Sequence, residues 1–382
     1  MNKMKIQLSI ILLAILINGC QNQSWNYGPL PNPSSEYMVL DECKYIKEFP
    51  HTFKLEQESG AIPFDIIGVR DFLICDSLLI LSTVDKEGLW HCYSMHSHKF
   101  LGKFLKQGNG PNEFFMTPFV SQASMLYDEN NDLNAVIYES IQQKVLKINI
   151  TKTLKEQELF INDLNINSPA PTFVFLMMND SSYYVRKLDN HETQQKRILF
   201  RGNTEIESHN IELLNKASVT KGDHEFNIIS ILAKYNSEKN LIVETPIGLN
   251  YFNLYSPTED FGISICASGG KFDNISTVQK MKPWDRLYTY GGIVTFKDFF
   301  GTLYIGDDMK TFQQGGKNLP KIHLYTWNGE PLAEILLPQY ATSFDIDLIN
   351  GYLYTLDLKS DEFYKYDIKI ILDGIKNNCT EK

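Results

Sequence analysis

The chain carries none of the short motifs that announce a catalytic centre. No nucleophile elbow, P-loop, H-E-x-x-H or paired-cysteine metal motif occurs in it. The chain therefore shows no local signature of a serine hydrolase, a P-loop nucleotide site or a zinc site. Basic residues are also in deficit, 36 Lys and Arg against 46 Asp and Glu, for a net charge of −10. An acidic chain lacks the electrostatic footprint of nucleic-acid binding and of polybasic membrane contact. The apolar run at residues 6–17 falls short of the roughly 20 residues that span a bilayer. Cysteines number only 6, and the five that follow Cys20 (Cys43, Cys75, Cys92, Cys266 and Cys379) are an odd set, so at least one thiol stays unpaired.

What is present begins with a processing signal. Lys3 and Lys5 form a positive n-region ahead of the short apolar core, and Ile17-Asn18-Gly19-Cys20 resembles a bacterial lipobox. This predicts a signal peptide over residues 1–19, acylation at Cys20 and a membrane contact made through that lipid. A chance cysteine behind an ordinary secretory signal is the competing reading. Cleavage removes two lysines and no acid, which takes the charge from −10 to −12. Residues 21–33 are polar and proline-containing, so residues 20–44 are expected to form a tether.

The rest reads as strands. Residues 65–106 hold four apolar runs separated by Asp76-Ser77, Asp85-Lys86-Glu87-Gly88 and His96-Ser97-His98. Four short strands joined by polar turns make one antiparallel meander. The same rhythm recurs over residues 119–160, 172–211, 226–267, 291–337 and 343–371, the last unit being one strand short. Aromatic residues at 12% suit a β-rich chain. Six such units predict an all-β, six-bladed β-propeller with four-stranded antiparallel blades over residues 45–375, followed by a tail at 376–382. A strand from residues 45–56 is expected to lie beside residues 362–368 and close the ring.

Between the first two units stands Gly108-Asn109-Gly110-Pro111-Asn112-Glu113-Phe114, where the backbone turns too sharply to continue a ladder. It resembles the G-x-G-P-x-E-F signature of the six-bladed TolB-like and NHL-like propeller lipoproteins of Bacteroidetes. Gly222-Asp223-His224-Glu225-Phe226 echoes part of it. The resemblance implies a propeller held at the cell envelope as an outer-membrane lipoprotein. Residues 21–33 lack the acidic cluster that accompanies surface export in similar proteins, which tilts the expectation to the periplasmic face.

Candidate sites are sparse. Asp128, Asn130, Asp132, Asn134 and Glu139 match the ligand spacing of a calcium loop, but Leu133 occupies the glycine position, so a hairpin turn is expected. His91, His96 and His98 lack a third ligand at zinc spacing and read as a surface turn. Asp345 and Asp347 alternate with Phe344, Ile346 and Leu348, which puts both carboxylates on one face, as channel lining or as an acid/base pair. Residues 270–291 crowd Lys280, Lys282, Trp284, Arg286, Tyr288 and Tyr290 into eleven positions. Trp and Tyr stack on flat faces and Arg pairs with anions. Lys282, Trp284, Arg286 and Tyr288, with Arg70, are therefore the expected ligand-binding residues at the channel mouth, and a loop packed across a blade is the alternative. No catalytic residue, metal or cofactor is assigned. The expected role is a non-catalytic scaffold for a glycan, a peptide or an envelope protein. The rival is a lyase or hydrolase using Asp345, Asp347 or His224.

Overall fold

The computed structural model describes residues 27–56, 66–189, 191–220 and 225–380. Cys20 and His224 lie outside the described residues, as do the side chain of Cys379 and most of the Gly222–Phe226 echo.

Six antiparallel sheets follow one another along the chain. Blade 1 is Val69–Cys75, Leu78–Thr83, Trp90–Ser94 and Phe100–Phe104. Blade 2 runs from Ser124–Tyr127 to Ile161–Asp163, and blade 3 from Thr172–Met177 to Thr204–Ile206. Blade 4 starts at Ile231–Asn236, blade 5 at Leu287–Thr295 and blade 6 at Ser343–Asp347. In each, the first strand is innermost and each later strand pairs outward on the one before. This is the six-bladed propeller that the strand rhythm predicts.

The core is six wedges rather than one centre. Each apolar cluster fills the space between two neighbouring blades: Trp90 and Phe104 with Ala135 and Ile137, or Phe252 and Leu254 with Phe300 and Tyr325. A blade with both faces against neighbours needs apolar residues on both, which is why strands such as Leu78–Thr83 are buried almost throughout.

The glycine-rich linker owes its shape to Glu113. The Glu113 carboxylate accepts a hydrogen bond from the Gly110 N–H at 2.8 Å. A Cβ at Gly108 would run into that carboxylate. Phe114 is then driven into the wedge between blades 1 and 2.

Ring closure differs from the expectation. No strand from residues 45–56 adds to Glu362–Asp367, and among the described residues blade 6 has three strands. Instead Glu42–Tyr45 pairs in parallel with Gly262–Cys266 on the rim of blade 4, and Thr52–Lys54 with Pro331–Leu336 on the rim of blade 5. The physical reason is the anchoring just upstream. Met38, Val39 and Leu40 are buried in the wedge between blades 3 and 4, so the chain enters the ring there. The expected tether is therefore packed structure by residue 38. Blade 6 meets blade 1 through side chains. The Asp361 carboxylate accepts from the Gly68 N–H at 2.7 Å and the Val69 N–H at 3.2 Å. Asp345 accepts from the Ile74 N–H at 2.7 Å, and Phe72 packs edge-on against Phe363 at 4.5 Å.

A helix, Lys369–Thr380, crosses the expected boundary at residue 375 and seats Ile371, Leu372 and Ile375 between blades 5 and 6. Cys43, Cys75, Cys92 and Cys266 are free thiols.

Candidate functional site

The second strand of blade 2, Leu133–Glu139, and the innermost strands of the other blades surround a cavity of about 1130 Å³ that reaches all six blades. Its proximal mouth is the end where these strands begin. There Met116 and Phe119 from the blade 1–2 linker join Phe173, Tyr288, Phe312 and Leu358. Phe173 is 52% exposed and Phe119 44%, an apolar collar open to solvent.

Bulges present two of the mouth residues. The register of blade 1 slips between Val69 and Asp71, and that of blade 3 between Thr172 and Val174. Each slip falls at one residue, Arg70 and Phe173, and both line the cavity. A bulge bends a strand and re-aims a side chain, and bulges gather next to binding sites. Blade 5 is irregular twice near Tyr290, in the strand that carries Tyr288.

The charges inside are unequal in availability. Every carboxylate of the lining accepts a hydrogen bond from the protein itself. Asp71 accepts from the Ser121 N–H, Asp76 from the Tyr127 hydroxyl and Glu139 from the Gln142 N–H. Asp347 accepts from the Ile349 and Asn350 N–H groups, which closes its own turn. Asp345 accepts from the N–H groups of Ile74 and Ile346. Among the cations, Lys359 donates to the carbonyls of Phe312 and Gln313. Arg70 has no ion pair or hydrogen bond among the described residues. Lys234 projects from blade 4 within electrostatic reach of Asp71 and Asp345. Burial pushes the Asp345 carboxyl up to about 7 against the opposing pull of its hydrogen bonds and Lys234. Burial likewise raises Asp71 and lowers Lys234.

Arg70 and Tyr288 line the cavity; Lys282, Trp284 and Arg286 do not. Arg286 is only 9% exposed. Its guanidinium donates to the carbonyls of Val278, Gln279 and Met281 at the end of helix Ile275–Gln279, and pairs with Glu225 at 2.6 Å. It is a clasp that folds the 270–291 segment on itself, and Trp284 and Lys282 are left exposed on the outside. Tyr288 and Tyr290 belong to the strand Leu287–Thr295 rather than to a loop.

The Asp345 and Asp347 carboxylates are held by backbone N–H groups, and Asp345 also ties blade 6 to blade 1. The 128–134 segment is a hairpin turn in which Asp128 accepts from the N–H groups of Asn130 and Asp132. His91 pairs with Asp85, while His98 faces Tyr354. Among the described residues no group of three or more His, Cys, Asp and Glu is placed to hold a metal ion, and no helix is long and apolar enough to cross a membrane. Phe119, Phe173 and Phe312 were missed, because a lone exposed Phe has no sequence signature until a fold gives it neighbours.

The chain is similar to the crystal structure of a protein from Bacteroides fragilis NCTC 9343, named as exported, at 12% identity over 82% of this chain and 98% of that one, with a TM-score of 0.47. A member of the DUF4221 family from Bacteroides vulgatus ATCC 8482 matches at 9% identity over 82% and 94%, with a TM-score of 0.47. No curated protein matches the chain. The family described as TolB-like 6-blade propeller-like matches residues 61–349, well over half of the sequence, and the chain belongs to that family.

Proposed function

We propose that this chain is an envelope lipoprotein, anchored through Cys20, whose propeller binds a ligand or a segment of an envelope partner in the central channel without transforming it. One observation carries the reading. Bulges in blades 1 and 3 aim Arg70 and Phe173 into a cavity of about 1130 Å³ whose own carboxylates are occupied by protein donors. A mostly apolar concave site with a few placed polar groups is the general form of a small-ligand pocket. Glycans, peptides and the exposed segment of an envelope protein are the candidate occupants, and the acidic chain disfavours nucleic acid. The periplasmic face of the outer membrane is the preferred location. Mass spectrometry of the membrane fraction tests the anchor: a diacyl or triacyl Cys20 at the mature N-terminus supports it, and an unmodified Cys20 refutes it.

The second reading is a channel enzyme acting on glycans or peptides. Asp345, Asp71 and Lys234, all displaced from their ordinary titration ranges, converge on the same cavity, and perturbed groups in a cleft mark catalytic sites as well as buried ion pairs. Binding is preferred because both carboxylates already accept backbone N–H groups. Incubation with glycan and peptide libraries separates the two. Product release that Asp345→Asn abolishes favours the enzyme, and binding with no product favours the scaffold.

A further inference from the structure

The chemistry of the proximal mouth says more than that something binds. The lining contains three cations and five carboxylates, yet their availability runs opposite to their number. Asp71, Asp76, Glu139, Asp345 and Asp347 each accept a hydrogen bond from a backbone N–H or a tyrosine hydroxyl of the protein. Lys359 is spent on the Phe312 and Gln313 carbonyls, and its ammonium lies 5.6 Å from the centre of the Phe312 ring. Lys234 lies within electrostatic reach of Asp71 and Asp345. Arg70 is what remains. It is exposed, bulge-presented and without a partner among the described residues, and the mouth beside it carries the aromatic residues Phe119, Phe173, Tyr288 and Phe312.

From this arrangement we infer that the channel mouth recognises a carboxylate attached to an apolar or aromatic group, with the carboxylate on the Arg70 guanidinium and the apolar group within the collar of Phe119, Phe173 and Tyr288. This deepens the binding reading above and rests on it. A planar guanidinium pairs with a carboxylate through two parallel hydrogen bonds, and aromatic side chains supply large contact area at low entropic cost. The Asp71–Lys234–Asp345 group sets one ammonium against two carboxylates in the same lining and offers the ligand no net attraction for a second acid. One negative group, not several, is what the site accommodates. The same chemistry occurs in a free aromatic acid and at the C-terminus of a peptide chain ending in an apolar residue.

The test compares N-acetylphenylalanine with its uncharged amide by calorimetric titration of the full protein. The acid is expected to bind at least ten-fold more tightly than the amide, with the ratio falling as salt is raised. Arg70→Gln should erase the ratio while Arg70→Lys keeps part of it. Phe173→Ala should weaken acid and amide together. Peptides ending in Phe, with free and amidated termini, identify the source. A free-terminus peptide that binds ten-fold better than the free acid points to a partner's chain end, and parity points to a small acid. Equal binding of acid and amide, or a ratio that survives Arg70→Gln, overturns the inference while leaving the channel itself as a site. If neither compound binds at millimolar concentration, this ligand class is wrong. If Phe173→Ala and Arg70→Gln alter the binding of no compound, the location is wrong as well.

Discussion

The seam between blades 6 and 1 makes a quantitative claim, because among the described residues no shared strand crosses it. Asp361 holds the first residues of blade 1 by accepting from the N–H groups of Gly68 and Val69. A hydrogen bond to a charged acceptor contributes roughly 1.5–3 kcal/mol when buried. Asp361 is exposed, so solvent screening cuts this, and Asp361→Ala should cost about 1–3 kcal/mol in total. Asp361→Asn keeps an acceptor oxygen and tolerates the positive φ of 59° found there, and should cost less. Phe363→Ala opens a void against Phe72, Tyr354 and their neighbours, and should cost about 3–5 kcal/mol. The predicted order is therefore Phe363→Ala, then Asp361→Ala, then Asp361→Asn. Urea unfolding followed by tyrosine and tryptophan fluorescence gives the free energies, and hydrogen exchange at Gly68 and Val69 localises the effect. Should Asp361→Ala leave both the midpoint and those two amides unchanged, the seam is held by something other than these side chains.

Further consequences concern charge. Glu244 is completely buried and accepts from Arg197, Asn253 and Tyr255, with Arg186 fully buried nearby. Glu244→Ala leaves two arginines unbalanced and should destabilise the protein by about 3–5 kcal/mol; a loss below 1 kcal/mol on thermal or urea unfolding would show the cluster is hydrated. Arg286→Ala should cost about 2–4 kcal/mol through its lost carbonyl and Glu225 contacts, whereas Trp284→Ala should fall within about 0.5 kcal/mol; the reverse order in melting experiments refutes the clasp. Asp345 is raised from 3.8 to about 7 in the fold, so the folded chain keeps a proton that the unfolded chain has lost between about pH 4 and 7. Its contribution is full below pH 4 and is lost as the pH rises to 7. The stability of the wild type relative to Asp345→Asn should thus fall by up to about 4 kcal/mol from pH 4 to 8, and a pH-independent difference contradicts the assignment.

Much of the architecture was legible because it is local. Turn chemistry at Asp76-Ser77 and Asp85–Gly88, and the length of the runs between turns, depend on neighbours within a few residues. The Gly108–Phe114 heptapeptide was readable because its geometry is set by Glu113 three residues from Gly110. Ring closure was not, since nothing in residues 42–54 says whether they pair with blade 6 or with the rims of blades 4 and 5. That choice is made by Met38–Leu40 finding a distant wedge. Arg286 was misplaced for a related reason. A dense basic and aromatic stretch looks alike whether its guanidinium faces a ligand or caps a helix one turn away. The bulges at Arg70 and Phe173 are two-strand properties and cannot appear in one strand's sequence. Arg70 was expected at the channel from its place on an innermost strand, and the bulge that lifts it out of the ladder was not legible.

Gly292 gives the most direct test of the channel as the binding site. It lines the cavity, and a Cβ built there meets nothing within 4 Å, so Gly292→Trp should project a bulky ring into the channel and obstruct it without straining blade 5. Ligand-observed NMR on a library of acids, glycans and peptides would be run on the wild type and on this variant, with melting temperature and circular dichroism as controls for the fold. The account predicts that compounds bound by the wild type are lost in Gly292→Trp at unchanged stability. Compounds that still bind the blocked ring with their original affinity would contradict it.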